Sequence, residues 1–398
     1  MSPKTLLYVH ASDEMYGADY ILLQLLDQLP RALWRPIVVI PTDIPYERLL
    51  TKELQARGIE VVHYPTAILR RKYFTPLGLL HYGWRLIAST LFLLRLIRRE
   101  RVCLVHSNTA AVLPGALAAR LSGTPHIWHI HEIITRPRFL WKITSWLIPR
   151  LSRQVVAVST PTRDHLCAGN RLNEKRAIVI HNGIDLRRFT KQHPATLAIR
   201  QGWNLTPENV LVGMVGRFSH WKGQTHFLRA AALVAQAHPA ARFALVGGVF
   251  PGQEGLVTQA RQLAVDLGLA EKVIFSDFRN DIPAVLMAYD IFVLPSTEPD
   301  PFPTVVLEAM AAGRPVVANA HGGSIEMVRD KETGYLVDPG DSSAMADAIS
   351  RLIGDESDRR QMGAAGHARL QECYSLETFS TKWIRLYEQM AGDFHEGL

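Results

Sequence analysis

Cysteine is scarce in this chain. There are three in 398 residues, Cys103, Cys167 and Cys373. Their number is odd, they are scattered, and none has the paired spacing of a metal site, so a disulfide framework is excluded. Free thiols in a reducing, cytoplasmic compartment are expected. Long hydrophobic runs are lacking as well. The longest, LIASTLFLL between Arg85 and Arg95, has nine residues. A bilayer-spanning helix needs about 20, so no transmembrane segment is expected. The opening MSPKTLLYVH has no apolar core ending in a cleavage site and reads as a first strand, not a signal peptide. There is no G-x-G-x-x-G, no P-loop and no nucleophile elbow. The 16 histidines show no ligand spacing. Neither a metal nor a bound cofactor is expected.

Acid is thin in the first half. Residues 1–190 hold 26 Lys and Arg against 13 Asp and Glu, whereas the rest hold 18 against 24. A basic first half suggests an anionic partner: nucleic acid, a lipid surface or a phosphorylated acceptor. Without an RNA- or DNA-binding motif, nucleic acid is the weakest of the three. The basic residues cluster beside apolar ones. Arg70, Arg71 and Lys72 and then Arg98, Arg99 and Arg101 bracket a segment with Trp84, Leu86, Leu91, Phe92 and Leu94. RPRFLWKITSWLIPR (136–150) repeats the mixture with Trp141 and Trp146. Such patches suit peripheral contact with anionic lipid, although solvated arginines on ordinary domain helices give the same pattern.

What is present is regular. Apolar residues make up 47% and charged residues 20%, enough for two cores at this length. Short apolar runs alternate with helical patterns. The strands are TLLYVH, RPIVVIP, EVVHYP, VCLVHSN, HIWHIH, QVVAVST and AIVIHNG, and after them NVLVGMVG, ARFALVGG, KVIFSDF, DIFVLPS, RPVVAN and GYLVDPG. This βαβα rhythm predicts parallel sheets covered on both faces. The interval from Arg187 to Pro207 has no sustained apolar run and reads as a linker. Two domains are expected, 1–188 and 207–374. An amphipathic helix at 375–390, with Trp383, Ile384, Leu386 and Tyr387 on its apolar face, begins a C-terminal segment (375–398) expected to pack back on the first domain.

In open parallel sheets, ligands bind beyond the carboxyl ends of strands. Two such places stand out. GRFSHWKGQ (216–224) joins a strand to a helix. It offers Arg217 and Lys222 as two fixed cations, Gly216 and Gly223 for close backbone approach, and helix N–H groups, the combination a diphosphate needs. STEPDPFPTVVLEAMAAGRPVVA (296–318) places Asp300 and Glu308 around a helix start, where a carboxylate suits a ribose diol. Glu298 is a competitor, and a capping role for Glu298 and Asp300 is the plainer alternative.

Together these segments resemble retaining glycosyltransferase family 4, glycosyl transferases group 1, with the GT-B fold of two Rossmann-like domains facing a cleft. VGRFSHWKG resembles the family's G-R-x(4)-K-G motif, DPFPTVVLE its E-x(7)-E motif, VIHNGID (179–185) its domain junction, and HGGSIEMVRDKETGYLV (321–337) its G-G-x-x-E tail. The chain departs from the pattern at Asp300, where Glu is usual, and at Pro301 and Pro303, where glycines are usual. That leaves the sugar open.

The resemblance implies transfer of a hexose-type sugar from a nucleoside-diphosphate sugar to an acceptor, without a divalent ion. Arg217 and Lys222 would stabilise the departing diphosphate. Glu308 would hold the ribose, and Asp300 and His131 would orient the sugar. Gly17, Gly216, Arg279 and the stretch Phe302, Pro303 and Thr304 would complete the donor site, Arg279 through its backbone. His131 follows from GTPHIWHIHE (123–132), with His129 as its competitor on the same strand face and Glu132 as a helix-entry residue. His106, Ser107 and Asn108 would lie toward the acceptor, which is expected to be lipid-linked or a glycan. Ser159 ends a further strand near them. Two other readings stay open: another GT-B enzyme such as a nucleotide-sugar epimerase or an inverting transferase, and a sugar-nucleotide-binding subunit without activity of its own.

Overall fold

A computed structural model describes residues 2–169, 176–189, 195–250 and 252–392. They form two compact units, Met1–Gly183 with Leu376–Leu398, and Ile184–Ser375. The first runs β1 (Lys4–Val9), α1 (Gly17–Asp27), β2 (Trp34–Pro41), α2 (Leu49–Ala56), β3 (Glu60–Tyr64), α3 (Pro76–Arg99), β4 (Val102–Asn108), α4 (Leu113–Ser122), β5 (His126–Ile130), α5 (Arg138–Leu151), β6 (Gln154–Ala157), α6 (Thr160–Ala168) and β7 (Ala177–Val179). The second runs α7 (Ala195–Gly202), β8 (Leu211–Val215), α8 (Gln224–Ala237), β9 (Arg242–Val246), α9 (Gly255–Asp266), β10 (Val273–Ser276), α10 (Ile282–Ala288), β11 (Ile291–Leu294), α11 (Thr304–Ala311), β12 (Val316–Asn319), α12 (Ser324–Met327), β13 (Gly334–Val337), α13 (Ser342–Gly354) and α14 (Glu356–Cys373). The last helix, α15 (Leu376–Gly392), returns to the first unit.

Each unit is built on one parallel sheet. The strand orders are β3-β2-β1-β4-β5-β6-β7 and β10-β9-β8-β11-β12-β13. The central strands are apolar on both faces because helices cover both, so Leu6, Leu7, Tyr8 and Val9 of β1 are all buried. In each sheet the winding direction reverses once, between β1 and β4 and between β8 and β11. Those two switch points are where loops diverge and leave a crevice beyond the strand ends.

The apolar face of α15 is absorbed by the first unit's core. Phe379, Trp383, Leu386 and Tyr387 are buried with Leu6, Tyr8, Trp34 and Leu104. The Tyr387 hydroxyl meets that of Tyr8 at 3.1 Å and the Nδ1 of His106 at 2.8 Å.

Two sequence expectations need correction. The interval read as a linker contains α7, which packs on α10. Arg200 anchors it by donating to the Ala288 carbonyl at 2.8 Å and pairing with Asp290 at 3.2 Å. A helix of eight residues that buries only Ile199 is too short to show an apolar period. Residues 190–194 of that interval, and 393–398 at the chain's end, lie outside the described residues. The second correction concerns α3. Arg85 and Arg95 break its apolar run in the sequence, yet it is a continuous 24-residue helix, long and apolar enough by length and composition to cross a membrane. Only 22% of its most apolar window is buried. Its inner face, Ser89, Thr90, Leu93, Leu96 and Ile97, packs into the first unit.

Candidate functional site

In the second unit the loops after β8 and β11 meet at the switch point and are stitched together. The Thr297 amide donates to the Trp221 carbonyl at 2.7 Å. Gly223 sits at φ +79°, and a Cβ there would lie 1.9 Å from the Pro295 carbonyl oxygen, so only glycine lets the two loops close. The stitching carries Lys222 to Asp300, whose charged atoms lie 2.5 Å apart with both side chains largely buried. Arg217 lies on the same loop and stacks its guanidinium 3.7 Å over the Phe250 ring. Gln224, first residue of α8, ties that loop down by donating to the Arg217 carbonyl at 3.0 Å. Two cations thus stand beside the N-terminus of a 14-residue helix. This environment favours a polyanion.

The Asp300 loop is shaped from its other side. Gly322, at φ +58°, would put a Cβ 2.2 Å from the Asp300 carbonyl oxygen, and the Gly323 amide donates to that oxygen at 2.8 Å. The paired glycines of HGGS therefore serve to seat the first acid. Glu308 lies in the second turn of α11, not at its start. Its carboxylate is half-buried and makes no hydrogen bond to any described residue. Burial pushes its pKa up to about 7, with the charge of Arg188 pulling the other way.

Several other predicted positions have no side chain, or one already committed within the fold. Gly216 is not sterically demanded, since an added Cβ would touch only the Lys222 side chain at 3.9 Å. Phe302 is buried edge-on against Tyr374, their ring centroids 5.7 Å apart. Pro303 caps α11 and Thr304 is its first residue, so this stretch offers a helix N-terminus. The Arg279 guanidinium is committed to Asp281 at 2.5 Å. Glu298 is exposed, which leaves Asp300 as the seated acid.

In the first unit the switch point between β1 and β4 holds a chain of polar side chains. Asp19 accepts from His10 Nε2 at 2.7 Å, His10 Nδ1 meets the Asn108 amide nitrogen at 3.0 Å, and Asn108 Oδ1 meets His131 Nε2 at 2.9 Å. The directions are fixed in sequence. Burial works against the Asp19 charge, but hydrogen bonds from His10, Ser12 and the Tyr16 amide hold its pKa below the ordinary value. An ionised Asp19 requires a proton on His10 Nε2. With the Asn108 amide nitrogen turned to His10 Nδ1, the Asn108 oxygen faces His131, and His131 carries its proton on Nε2. Burial pushes the His131 pKa down to about 3. It is therefore neutral, with the lone pair on Nδ1. Gly17 opens α1 just before Asp19, with nothing within 4 Å of a Cβ placed on it.

His10 and Asp19 were missed by the sequence reading. The signal was present: a histidine just after β1 and a carboxylate at the third position of the next helix. Asp19→Asn should therefore lower donor-sugar turnover about 10- to 100-fold, the size of effects seen when a partner that orients a ligating histidine is lost. The affinity for UDP should hold. Nitrogen-15 NMR of the His131 ring should show its proton redistributed between the nitrogens. Unchanged turnover with an unchanged tautomer would show that the chain of hydrogen bonds is only structural.

The neighbouring expectations fare differently. His129 is buried between Trp383 and His106, and its Nδ1 lies 3.1 Å from His131 Nε2, so it backs His131 from within the core. His106 is buried too, held by Tyr387. Ser107 is fully buried, its hydroxyl 2.9 Å from His126 Nε2, so it cannot face an acceptor. The reason is the place of β4: a central strand covered on both faces buries alternate residues on either side. Asn108 is buried as the bridge between His10 and His131. Ser159 caps α6 through the Thr162 amide at 3.2 Å. Glu132 is no helix-entry residue; it accepts from the amides of Ala110 and His131 at 3.0 and 3.1 Å.

Two doubly wound units in series, each with a polar cluster at its switch point, give the architecture of the GT-B class. Comparison with known proteins gives the family. Residues 15–188 match the model described as Glycosyltransferase Family 4, and residues 196–369 the model described as Glycosyl transferases group 1. The chain belongs to this family and is a glycosyltransferase. It is 30% identical over 323 residues to the alpha-maltose-1-phosphate synthase of Mycolicibacterium smegmatis, covering 73% of this chain and 80% of that protein. It is 25% identical over 284 residues to an Escherichia coli UDP-Gal:alpha-D-GlcNAc-diphosphoundecaprenol alpha-1,3-galactosyltransferase, 67% of this chain and 70% of the other. Of several other curated relatives it spans 46–60% of the length. Among solved structures it resembles Anabaena Alr3699/HepE in complex with UDP and glucose, with a TM-score of 0.81, 26% identity, and coverage of 96% of this chain and 99% of that one.

Proposed function

We propose that the protein is a retaining glycosyltransferase that moves a hexose from a UDP-hexose to a lipid-linked acceptor in polysaccharide or glycolipid assembly. The observation that carries the reading is the joining of the β8 and β11 loops, which sets Arg217, Lys222, Asp300 and Glu308 on one edge of one sheet. In this reading the diphosphate lies against Arg217, Lys222 and the N-terminus of α8. The two cations take the leaving group's charge in place of a divalent ion. Glu308 accepts from the ribose hydroxyls, which supply the partners its carboxylate lacks. Asp300 orients the sugar, and His131, held neutral, presents its Nδ1 to a sugar hydroxyl. Retention follows from attack on the face the diphosphate leaves, the diphosphate taking the acceptor's proton. The UDP and hexose assignments draw on the ligands of Alr3699/HepE, and the lipid-linked acceptor on the diphosphoundecaprenol-linked substrate of the Escherichia coli relative. With such an acceptor the protein works in the cytoplasm, at the inner face of a membrane.

The test is a thermal-shift screen with UDP-, GDP- and ADP-hexoses. A donor at 100 times its Kd stabilises the native state by about 2.7 kcal/mol. UDP-hexose should raise the melting temperature in a concentration-dependent way and be hydrolysed slowly without acceptor. No shift with any of the three would overturn the donor reading.

A further inference from the structure

Between α3 and α5 the first unit has a cavity of about 330 Å³, at the lower end of the range for small-molecule sites. Leu79 and Tyr82 of α3 form one wall, Phe139, Ile143 and Leu147 of α5 the other, and Trp128 of β5 lies among the lining residues. Of its three polar side chains, Tyr82, Trp128 and Thr144, two are already used. The Trp128 indole donates to the Thr109 carbonyl at 2.8 Å, and the Thr144 hydroxyl to the Leu140 carbonyl at 2.9 Å. A polar ligand would find little to bond with, and its own groups would be stranded. Hydrocarbon meets no such cost.

The apolar surface continues outward from the slot. Leu80 is 73% exposed and Trp84 70% on α3, while Phe139, Ile143 and Trp146 on α5 are 53%, 52% and 51% exposed. Exposed aromatic and aliphatic side chains in this density mark a binding face. The charge around them has one sign. Residues 61–99 contain seven Lys and Arg and no acid, and residues 133–163 contain six and no acid. Arg70 is neutralised by Asp43 at 2.6 Å. Arg138 and Lys142 are exposed, one turn apart on α5 and next in sequence to the lining residues Phe139 and Ile143.

We propose that the α3–α5 slot binds the hydrocarbon chain of a phosphorylated lipid, with the phosphate held by Arg138 and Lys142. This deepens the acceptor reading and rests on it. The slot receives the carbons nearest the phosphate, and the exposed apolar rim covers the more distant part of the chain. A second copy of this basic chain would bring mostly like charge to a face already carrying an excess of Lys and Arg.

The experiment uses the full chain and soluble probes: farnesyl diphosphate, geranyl diphosphate, farnesol and inorganic pyrophosphate, titrated by calorimetry. Each methylene buried contributes about fourfold in affinity. Farnesyl diphosphate should therefore bind at least tenfold tighter than geranyl diphosphate, and pyrophosphate should bind far more weakly than either. Phe139→Ser with Ile143→Ser, at two exposed positions whose change leaves the core intact, should weaken farnesyl diphosphate at least tenfold and leave pyrophosphate unchanged. Ala111→Leu, which fills the slot from within, should do the same. Arg138→Ala with Lys142→Ala should weaken farnesyl diphosphate and spare farnesol. Equal affinity for farnesyl diphosphate and pyrophosphate overturns the proposal. So does wild-type affinity in both slot variants, or binding to anionic vesicles with none to the soluble prenyl diphosphates, which would give the face to a bilayer surface. The UDP thermal shift of each variant is read in parallel. A slot variant that keeps the UDP shift while losing the prenyl diphosphate supports the slot; a wild-type protein that shows the UDP shift but binds no prenyl diphosphate leaves the donor reading standing and refutes only the slot.

Discussion

Lys222→Ala should reduce donor-sugar turnover by about 10²–10³-fold, the usual cost of losing one donor aimed at developing charge. Arg217→Ala should do the same. The cations differ in how they are held, so the two variants should differ in stability. Arg217 is stacked on Phe250, and its removal costs that packing. Lys222 is paired with a largely buried Asp300, and removing it strands a carboxylate, a loss of about 1–3 kcal/mol. The double variant Lys222→Ala, Asp300→Asn should regain that stability without regaining turnover. A bound diphosphate competes with Asp300 for the same ammonium, so UDP should also weaken the pair and free Asp300 for the sugar. Retention of more than half of wild-type turnover in either single variant would remove both residues from the proposed site.

How much of this was legible in the sequence depends on the physical scale involved. The strands were readable because buried parallel strands are short, continuous apolar runs, and every strand run named from the sequence has its counterpart among β1–β13. Arg217, Lys222, Asp300 and Glu308 could be nominated because their motifs sit at strand ends, where open parallel sheets bind ligands. The relay from Asp19 to His131 was not. Its members come from the residue after β1, α1, β4 and the residue after β5, and only the strand order β1-β4-β5 makes them neighbours. Ser107 failed for a related reason: its position at a strand end was visible, but the face it points to and the helix covering that face were not. Glycine roles were also reassigned. Gly223 and Gly322 are demanded by carbonyls on other loops, a constraint that exists only once the loops are packed. The apolar face of α3 was underestimated because counting uninterrupted runs stops at arginines, whereas a helix lets a long basic side chain reach water from an apolar surface.

Glu308→Gln should make the ligand-free protein more stable and the donor-bound protein less so. Burial raises the Glu308 pKa from 4.5 to about 7. The folded state therefore prefers the protonated form more than the unfolded chain does. The associated stability is fully present below about pH 4.5 and is lost as pH rises through about 7. At pH 8 the native state bears the full penalty of a half-buried carboxylate without a hydrogen-bond partner among the described residues, at most about 3 kcal/mol. Glutamine carries no such charge. Melting curves should therefore show Glu308→Gln level with wild type at pH 5 and several degrees higher at pH 8, given that 1 kcal/mol moves a domain of this size by about 2–4 °C. Donor binding should run the other way. Two hydroxyls of a ribose donating to an ionised carboxylate satisfy it and favour its charged form. Wild-type affinity for a UDP-hexose, whose diphosphate does not titrate near 7, should accordingly increase as pH passes upward through about 7, whereas the variant's should be flat and about 10- to 100-fold weaker at pH 8, the worth of a charge-assisted hydrogen bond. If the variant binds the UDP-hexose as tightly as wild type at pH 8, Glu308 does not hold the ribose. If it also melts no higher there, its carboxylate has found a partner within the fold and the site must be drawn without it.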